Sequence, residues 1–364
     1  MKVLVDHQIF LNQSAGGVSR YHATINDYIN GFNQGIQSRI IALGHRNIYL
    51  PEQGKSLSLL NRRGLLRILK LINQRAVLSN LEKYDVFHPS FYDGYFARAK
   101  KRPRTVITIH DMIPEAYFKE KARWMIDQKR EALKLADAVI AISHTTKKEL
   151  LACYDIDESR IHVIHHGFPE HFFSAAQSAK DDNFIKQWAN TPYLLFVGTR
   201  KDYKNFQPFV RALSTYLKDR KIHLLAVGNT PFPDEKEFLA QLGLEDWIHF
   251  TGQVNDEILA ELYRNALCFV FPSSLEGFGM PLLESFAAKC PVACANTDVF
   301  REICGDAAVY FDPANDASII RAVDQFASHE TTRNLFKEKG NELLTKFNWS
   351  DAARKTMDVY RNLN

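Results

Sequence analysis

Cysteine is scarce: five residues in 364, namely Cys153, Cys268, Cys290, Cys294 and Cys304. Their number is odd and their settings look like strands or helices. They therefore read as reduced core thiols of a cytosolic protein rather than a disulfide frame. Cys290 and Cys294 form a C-x3-C pair, but no second pair or nearby histidine completes a zinc set. Long apolar runs are also missing. No stretch approaches the roughly 18–20 uninterrupted apolar residues of a membrane-spanning helix. The opening Lys2-Val3-Leu4-Val5-Asp6 reads as a buried strand and lacks the cationic stretch and apolar run of an export signal. There is no short-period repeat and no low-complexity tract. Hydrophobic content of 46% suffices for packed cores and excludes disorder for the bulk of the chain.

Charge is unevenly spread. Residues 1–180 hold 26 Lys+Arg against 17 Asp+Glu, and residues 181–364 hold 20 against 25, so a +9 half precedes a −5 half. A basic half calls for an anionic partner: nucleic acid, a phosphorylated metabolite or a membrane surface. No recognised nucleic-acid module accompanies the charge, which argues against nucleic acid.

Two halves share one grammar. The first has apolar strand patterns at Lys2–Asp6, Ser38–Leu43, Asp85–His88, Thr105–His110, Ala138–Ile142 and Ile161–His165. Helical patterns lie between them, among them 18–32, Lys121–Ala136 and Thr145–Cys153. The second restarts at Tyr193–Val197 and continues with Ile222–Val227, Ile248–Phe250, Cys268–Phe271, Val292–Ala295 and Ala308–Phe311. Alternating strands and helices predict an α/β protein with two parallel, Rossmann-like sheets. The expected domains are 1–175 and 183–346. A last helix, about 347–364, is expected to pack back on the first domain. Ligands of such sheets bind beyond the carboxyl ends of the strands, which would place the two sets of turns on opposite walls of a cleft.

Four features at those ends carry chemistry. Gly16-Gly17-Val18 is a turn entering a helix; paired glycines let an anion approach bare N–H groups, although a simple tight turn would look the same. Gly198-Thr199-Arg200-Lys201-Asp202-Tyr203-Lys204-Asn205 places three cations in five residues after a strong strand. That suits a diphosphate, and a solvated turn suits it equally. Glu276-Gly277-Phe278-Gly279-Met280-Pro281-Leu282-Leu283-Glu284 is the most specific segment. Pro281 marks a helix start, which puts Glu284 in the first helical turn and Glu276 in the loop above it, both able to accept from hydroxyls. His110-Asp111 closes an apolar strand and is placed to face ligand, or serves as a hydrogen-bonded structural pair. Ser143 and His144 invite a hydrolase triad, but no G-x-S-x-G elbow is present. The D-x-D at Asp155-Ile156-Asp157 falls in a helix-to-strand connection, a poor place for a catalytic metal.

The order of these motifs resembles glycosyltransferase family 4, with the GT-B fold of two Rossmann-like domains facing each other across a cleft. The resemblance spans essentially the whole chain and includes Gly228-Asn229, Phe250-Thr251-Gly252, Phe311-Asp312-Pro313, Phe347-Asn348-Trp349-Ser350 and Tyr360. It implies a retaining, metal-independent hexosyltransferase using a nucleotide sugar and no cofactor. Gly16, Gly17, Arg200 and Lys204 would hold the diphosphate in place of a metal. Gly198, Gly277, Phe278, Gly279, Met280, Pro281, Leu282 and Glu284 would line the nucleotide and sugar, with Glu284 at the ribose. Glu276 would touch the transferred sugar, and His110 and Asp111 would lie near its C1 and C6. Front-face attack, with the leaving phosphate accepting the acceptor's proton, is the implied mechanism. Many members carry Arg immediately before the turn lysine; here Tyr203 stands there, and Arg200 resembles an alternative arrangement among polysaccharide-building members. That pattern leans toward GDP-mannose, with UDP-sugars second, and toward a lipid-linked or growing surface glycan as acceptor. An epimerase or a non-catalytic partner subunit remains the alternative. Residues Ser56–Lys83 form a basic amphipathic segment. Its apolar residues are Leu57, Leu59, Leu60, Leu65, Leu66, Leu69 and Ile72, and its cations Arg62, Arg63, Arg67, Lys70 and Arg75. It suits peripheral contact with an anionic membrane surface at the cytoplasmic face.

Overall fold

A computed structural model describes residues 1–45, 47–50, 63–168, 170, 182–200 and 202–363. The chain separates into two compact units, Met1–Gly167 with Asn348–Asn364, and Phe168–Phe347. Each is built on a six-stranded sheet in which every pairing is parallel. Among the described residues no helix is long and apolar enough to cross a membrane.

The first sheet runs in the order β2-β1-β3-β4-β5-β6. Its strands are β1 (Lys2–Val5), β2 (Gln37–Ile40), β3 (Val86–His88), β4 (Arg104–Ile109), β5 (Ala138–Ala141) and β6 (Ile161–Val163). β5 is Ala-Val-Ile-Ala and buried throughout, as a strand covered on both faces must be. The edge strands β2 and β6 stop short of the expected Leu43 and His165. With a neighbour on one side only, they have fewer ladder bonds to hold them extended past Ile40 and Val163. The helix Gln8–Asn12 was not foreseen; five residues are too few to show a period. The first unit is closed by the chain's last helix, Trp349–Arg361, packed on helix Gly17–Phe32. Asn348 caps it by accepting from Ser350 N at 2.7 Å. Glycine is required at 167, where a Cβ would lie 2.2 Å from Trp349 N.

The second sheet runs β12-β11-β10-β7-β8-β9. Its strands are β7 (Tyr193–Val197), β8 (His223–Val227), β9 (Ile248–Gly252), β10 (Cys268–Phe271), β11 (Val292–Ala295) and β12 (Ala308–Phe311). Four of the five cysteines are buried in this unit, as core thiols should be, but Cys153 is exposed at the end of helix His144–Cys153. The linker expected at 175–183 falls mostly outside the described residues, as do residues 56–62 of the basic segment and Lys201.

One buried ion pair anchors the loop after β4. Lys129 Nζ lies 2.8 Å from Glu115, both side chains almost fully buried, and also donates to Asp111 O at 2.9 Å. Tyr154 Oη donates to the same carboxylate. Removing one partner strands the other charge in the core. Glu115→Ala should therefore cost about 3–5 kcal/mol, read from the urea midpoint. A cost of only a few tenths would mean that Lys129 finds water or another acceptor.

Candidate functional site

In the second sheet the chain winds from β7 through β8 to β9, then returns past β7 to β10. The winding reverses between β7 and β10, and a crevice beyond strand ends at such a reversal is where open α/β sheets bind ligands. β7 ends in Gly198 at φ +132°, and a Cβ on Gly228 at the end of β8 would lie 2.5 Å from Gly198 O. Glycine is thus favoured at 198 by its positive φ, and at 228 by a positive φ and backbone crowding together. A short turn, Asp202–Lys204, leads to Asn205 in the left-handed region (φ +52°), which opens helix Phe206–Arg220. Asn205 Nδ2 donates to Pro272 O at 3.0 Å, and Ser274 donates to Tyr203 O from N at 2.9 Å and from Oγ at 3.0 Å. These bonds stitch the basic turn to the loop leaving β10. They bring Lys204 Nζ into an ion pair with Glu276 at the reversal. The side chains are 14% and 12% exposed, so the pair is sheltered yet reachable. The ammonium also lies 5.3 and 5.4 Å from the ring centres of Tyr203 and Phe271.

Arg200 is differently placed. Its Nε and Nη2 donate to the two oxygens of Glu235 at 2.7 and 2.9 Å, Nη2 also reaches Thr230 O, and the side chain is 1% exposed. It stacks 4.7 Å from the Phe250 centre. Of its donors, buried Nη1 has no partner among the described residues, and it lies 3.9 Å from where a Cβ on Gly228 would stand. Glu235, which sequence reasoning missed, matches the Arg200 charge and leaves Nη1 as a buried donor without a partner among the described residues. Glu235 sits in the first turn of helix Pro233–Leu242, where it also accepts from Phe232 N at 2.8 Å; with phenylalanine at the N-cap the sequence carries no capping-box signal for it.

Helix Met280–Ala287 starts one residue before Pro281, because Gly279 takes φ +101° and caps it. A Cβ at 279 would lie 2.7 Å from Leu282 Cδ1. Glu284 is consequently the fifth helical residue, on the second turn and not in the first as expected from Pro281. Tyr263 Oη donates to Glu284 Oε2 at 3.4 Å. Burial, then the Glu284 carboxylate, hold the Tyr263 hydroxyl well above its usual range, so it remains a donor. Phe278 and Leu282 are buried packing residues, and Gly277 is buried as well, while Met280, Pro281 and Glu276 are half-buried.

In the first unit, Gly16 and Gly17 stand at the start of helix Gly17–Phe32. A Cβ on Gly17 would meet nothing within 4 Å, whereas one on Gly16 would lie 2.5 Å from Gln13 Oε1. His110 follows β4 directly. Its ring centre is 5.1 Å from Tyr21, 5.7 Å from His22 and 6.0 Å from His166. His110 Nε2 is buried and has no partner among the described residues. Nearby, His88 bridges Tyr360 Oη at 2.6 Å and Thr108 Oγ1 at 2.9 Å. Sequence reasoning missed His22, His88 and His166, although His88 ends β3 and His166 lies shortly beyond β6, the same signal that flagged His110. Asp111 Oδ1 accepts from Ile113 N at 3.1 Å and so shapes the turn. Ser143 caps helix His144–Cys153 by accepting from Thr146 N at 2.9 Å, a structural role in keeping with the missing nucleophile elbow. Asp157 of the D-x-D likewise accepts from Ser159 N at 2.9 Å.

The histidine cluster is held neutral. Burial pushes His88 and His166 down to about 3, and burial followed by neighbouring imidazoles pushes His22 and His110 well below 6.5. Above about pH 6.5 the unfolded chain binds no extra protons at these sites, and the stability of the first unit is complete. Below it, each unfolded histidine takes up a proton that its folded counterpart refuses down to its depressed pKa. The cost is about 1.4 kcal/mol per pH unit per histidine. Urea midpoints should therefore fall between pH 6.5 and 5, ahead of carboxylate titration, and His88→Gln should make the slope shallower. An unchanged slope in the variant would show that His88 takes up its proton in the fold at the same pH as in the unfolded chain.

Two parallel doubly wound sheets are the architecture of the GT-B fold, and the second carries a cation–carboxylate pair at its reversal. The family profile "Glycosyltransferase Family 4" matches residues 15–172 and the profile "Glycosyl transferases group 1" matches residues 178–343. The chain belongs to this glycosyltransferase family, its two halves matched in turn. It is similar to the O-antigen chain mannosyltransferase B of Escherichia coli, 28% identical over 324 residues, covering 85% of this chain and 84% of that one. Among solved structures it resembles sucrose-phosphate synthase from Thermosynechococcus elongatus, with TM-score 0.78, 18% identity, and 100% and 98% of the two chains covered. It also resembles Anabaena HepE in complex with UDP and glucose, with TM-score 0.74, 14% identity and 98% of both chains covered.

Proposed function

We propose that the chain is a retaining, metal-independent hexosyltransferase. It moves mannose from GDP-mannose, or second a hexose from a UDP-sugar, onto a lipid-linked or growing surface glycan. The observation that carries this reading is the Lys204–Glu276 pair at the reversal of the second sheet. The mannosyltransferase relative supports the mannosyl donor, and the UDP complex of HepE keeps the uridine alternative.

Cleaving the bond between sugar C1 and phosphate develops negative charge on the diphosphate. A cation fixed beforehand stabilises that charge without reorganisation at the moment of reaction. Lys204 has the position for this, and Arg200 Nη1 adds one directed donor. In the free protein Glu276 keeps the Lys204 charge matched. On donor binding the phosphate takes over the lysine, and Glu276 is released to accept from a hydroxyl of the transferred sugar. Glu284, one turn into its helix, accepts from the ribose. The Gly17 end of its helix offers bare N–H groups and partial positive charge to a phosphate. His110, kept neutral, contributes a hydrogen bond near the sugar without adding charge. The leaving phosphate accepts the acceptor's proton, so no protein nucleophile is required. With these fixed cations the metal's electrostatic role is filled.

Lys204→Ala should lower kcat about 10²–10³-fold with an unchanged melting temperature, whereas Glu284→Ala should mainly raise KM for the donor. Activity should persist in excess EDTA, and the product should keep the donor's anomeric configuration by proton NMR. A thermal-shift panel of GDP- and UDP-sugars ranks the donors, since a ligand bound only by the native state raises its stability. Near wild-type turnover in Lys204→Ala, or activity lost to EDTA and restored by Mg²⁺, would remove the electrostatic core of this reading.

We further infer that the enzyme works at a membrane surface, where a lipid-linked acceptor resides. Helix Arg63–Asn80 supports this. Leu65, Ile68, Leu71 and Ile72 are 39–58% exposed, and the exposed Arg67 and Arg75 flank them. An exposed apolar stripe with cations beside it suits insertion at the boundary of headgroups and acyl chains. Liposome co-sedimentation should require anionic lipid, weaken with salt, and drop in the triple variant Ile68→Ser, Leu71→Ser, Ile72→Ser. Equal partitioning of that variant and wild type would make the stripe a feature of the isolated fold only.

A further inference from the structure

The first sheet has its own reversal. The chain winds from β1 to β2 on one side and then returns past β1 to β3. The crevice beyond β1 and β3 is the place where this sheet should hold a ligand. A cavity of about 200 Å³ lies there, lined by His7 and Gln8 beyond β1, by Phe91 and Asp93 beyond β3, and by Trp124 and Gln128 of helix Arg123–Leu135. None of these residues takes part in the donor reading above.

His7 is the informative one. It is fully buried, and neither ring nitrogen has a hydrogen-bond partner among the described residues. Leaving a buried polar atom unsatisfied costs about 1–3 kcal/mol, which a ligand filling the cavity would return. Burial outweighs the nearby Asp6 and Asp93 and lowers the imidazole pKa, so the neutral ring presents one donor and one acceptor. A hydroxyl, itself both donor and acceptor, is its natural complement. The cavity carries no unmatched charge. Lys70 also lines it, but its Nζ lies 2.7 Å from Asp93, which Gln8 and the Tyr95 N–H hold in place. Among the described residues lining it, a phosphate or carboxylate would find no free cation. Trp124 is 58% exposed and offers an indole face at the rim. The volume is below the roughly 300–1,000 Å³ of sites that engulf drug-sized ligands, so the cavity suits a single ring.

We propose that this cavity is a subsite for one neutral hexopyranose ring of the acceptor glycan, with a hydroxyl on His7 and the ring's C–H face on Trp124. The assignment rests on the glycosyltransferase reading and adds to it the residues that recognise the acceptor.

The test uses the full chain and methyl α-D-mannopyranoside, observed by saturation-transfer NMR. Wild type should bind it, Trp124→Ala should weaken it at least tenfold, and His7→Asn should weaken it with the melting temperature within a few degrees of wild type. Both variants should keep the wild-type thermal shift with nucleotide. In turnover assays both should raise KM for acceptor and leave KM for donor unchanged. Unchanged hexoside binding in Trp124→Ala overturns the proposal, as does hexoside binding that is lost in Glu276→Ala, which would place the ring at the donor's sugar position. Hexoside loss in Trp124→Ala, in a chain that no nucleotide stabilises, would uphold the cavity as a saccharide site while sinking the donor reading.

Discussion

The ion pair between Lys204 and Glu276 is the constraint on which the proposed chemistry of the second unit depends. It exists because the two residues, 72 positions apart, leave the carboxyl ends of adjacent strands at the point where the winding reverses. Asn205 and Ser274 hold those two segments together through backbone carbonyls. A half-buried pair of this kind contributes little net stability, because desolvation of the two ions offsets much of their attraction. Its value is that each charge is positioned while the other keeps it tolerable. In the proposed reaction a diphosphate displaces the carboxylate from the lysine without any group having to move far.

The Arg200–Glu235 pair follows the same logic more rigidly. Two parallel bonds and an aromatic stack fix the guanidinium, and Nη1 is the directed donor left over. A lysine in its place would lose the fork geometry and with it the fixed orientation of that corner. The first unit relies on neutrality instead. Its buried imidazoles, packed against Tyr21, Trp349 and Tyr360, form a polar core beneath the ends of β3 and β4. The closing helix Trp349–Arg361 supplies two of those aromatic rings, so the final residues of the chain complete the environment of His110.

Much of this was legible beforehand. The six apolar runs of each half became the six strands of each sheet, because parallel strands covered on both faces must be apolar almost throughout. The glycine at 198 was legible as a turn residue, and it takes a positive φ. Boundaries slipped where the physics is weakest: at the edge strands β2 and β6, and at the start of the helix carrying Glu284. There a left-handed glycine cap overrode the usual position of proline.

The sequence by itself determined the local events: which segments pair into sheets, where the backbone must turn, and which polar residues stand at strand ends. Those follow from burial, periodicity and steric limits acting within a few residues. Tertiary structure alone decided the partnerships. Nothing local to Arg200 announces Glu235, nothing near Glu284 announces Tyr263, and nothing near His7 announces Trp124, more than 100 residues away. Such pairings depend on strand order, which is set by how whole sheets bury their faces. That order gives each of the two cations, Lys204 and Arg200, its own carboxylate partner.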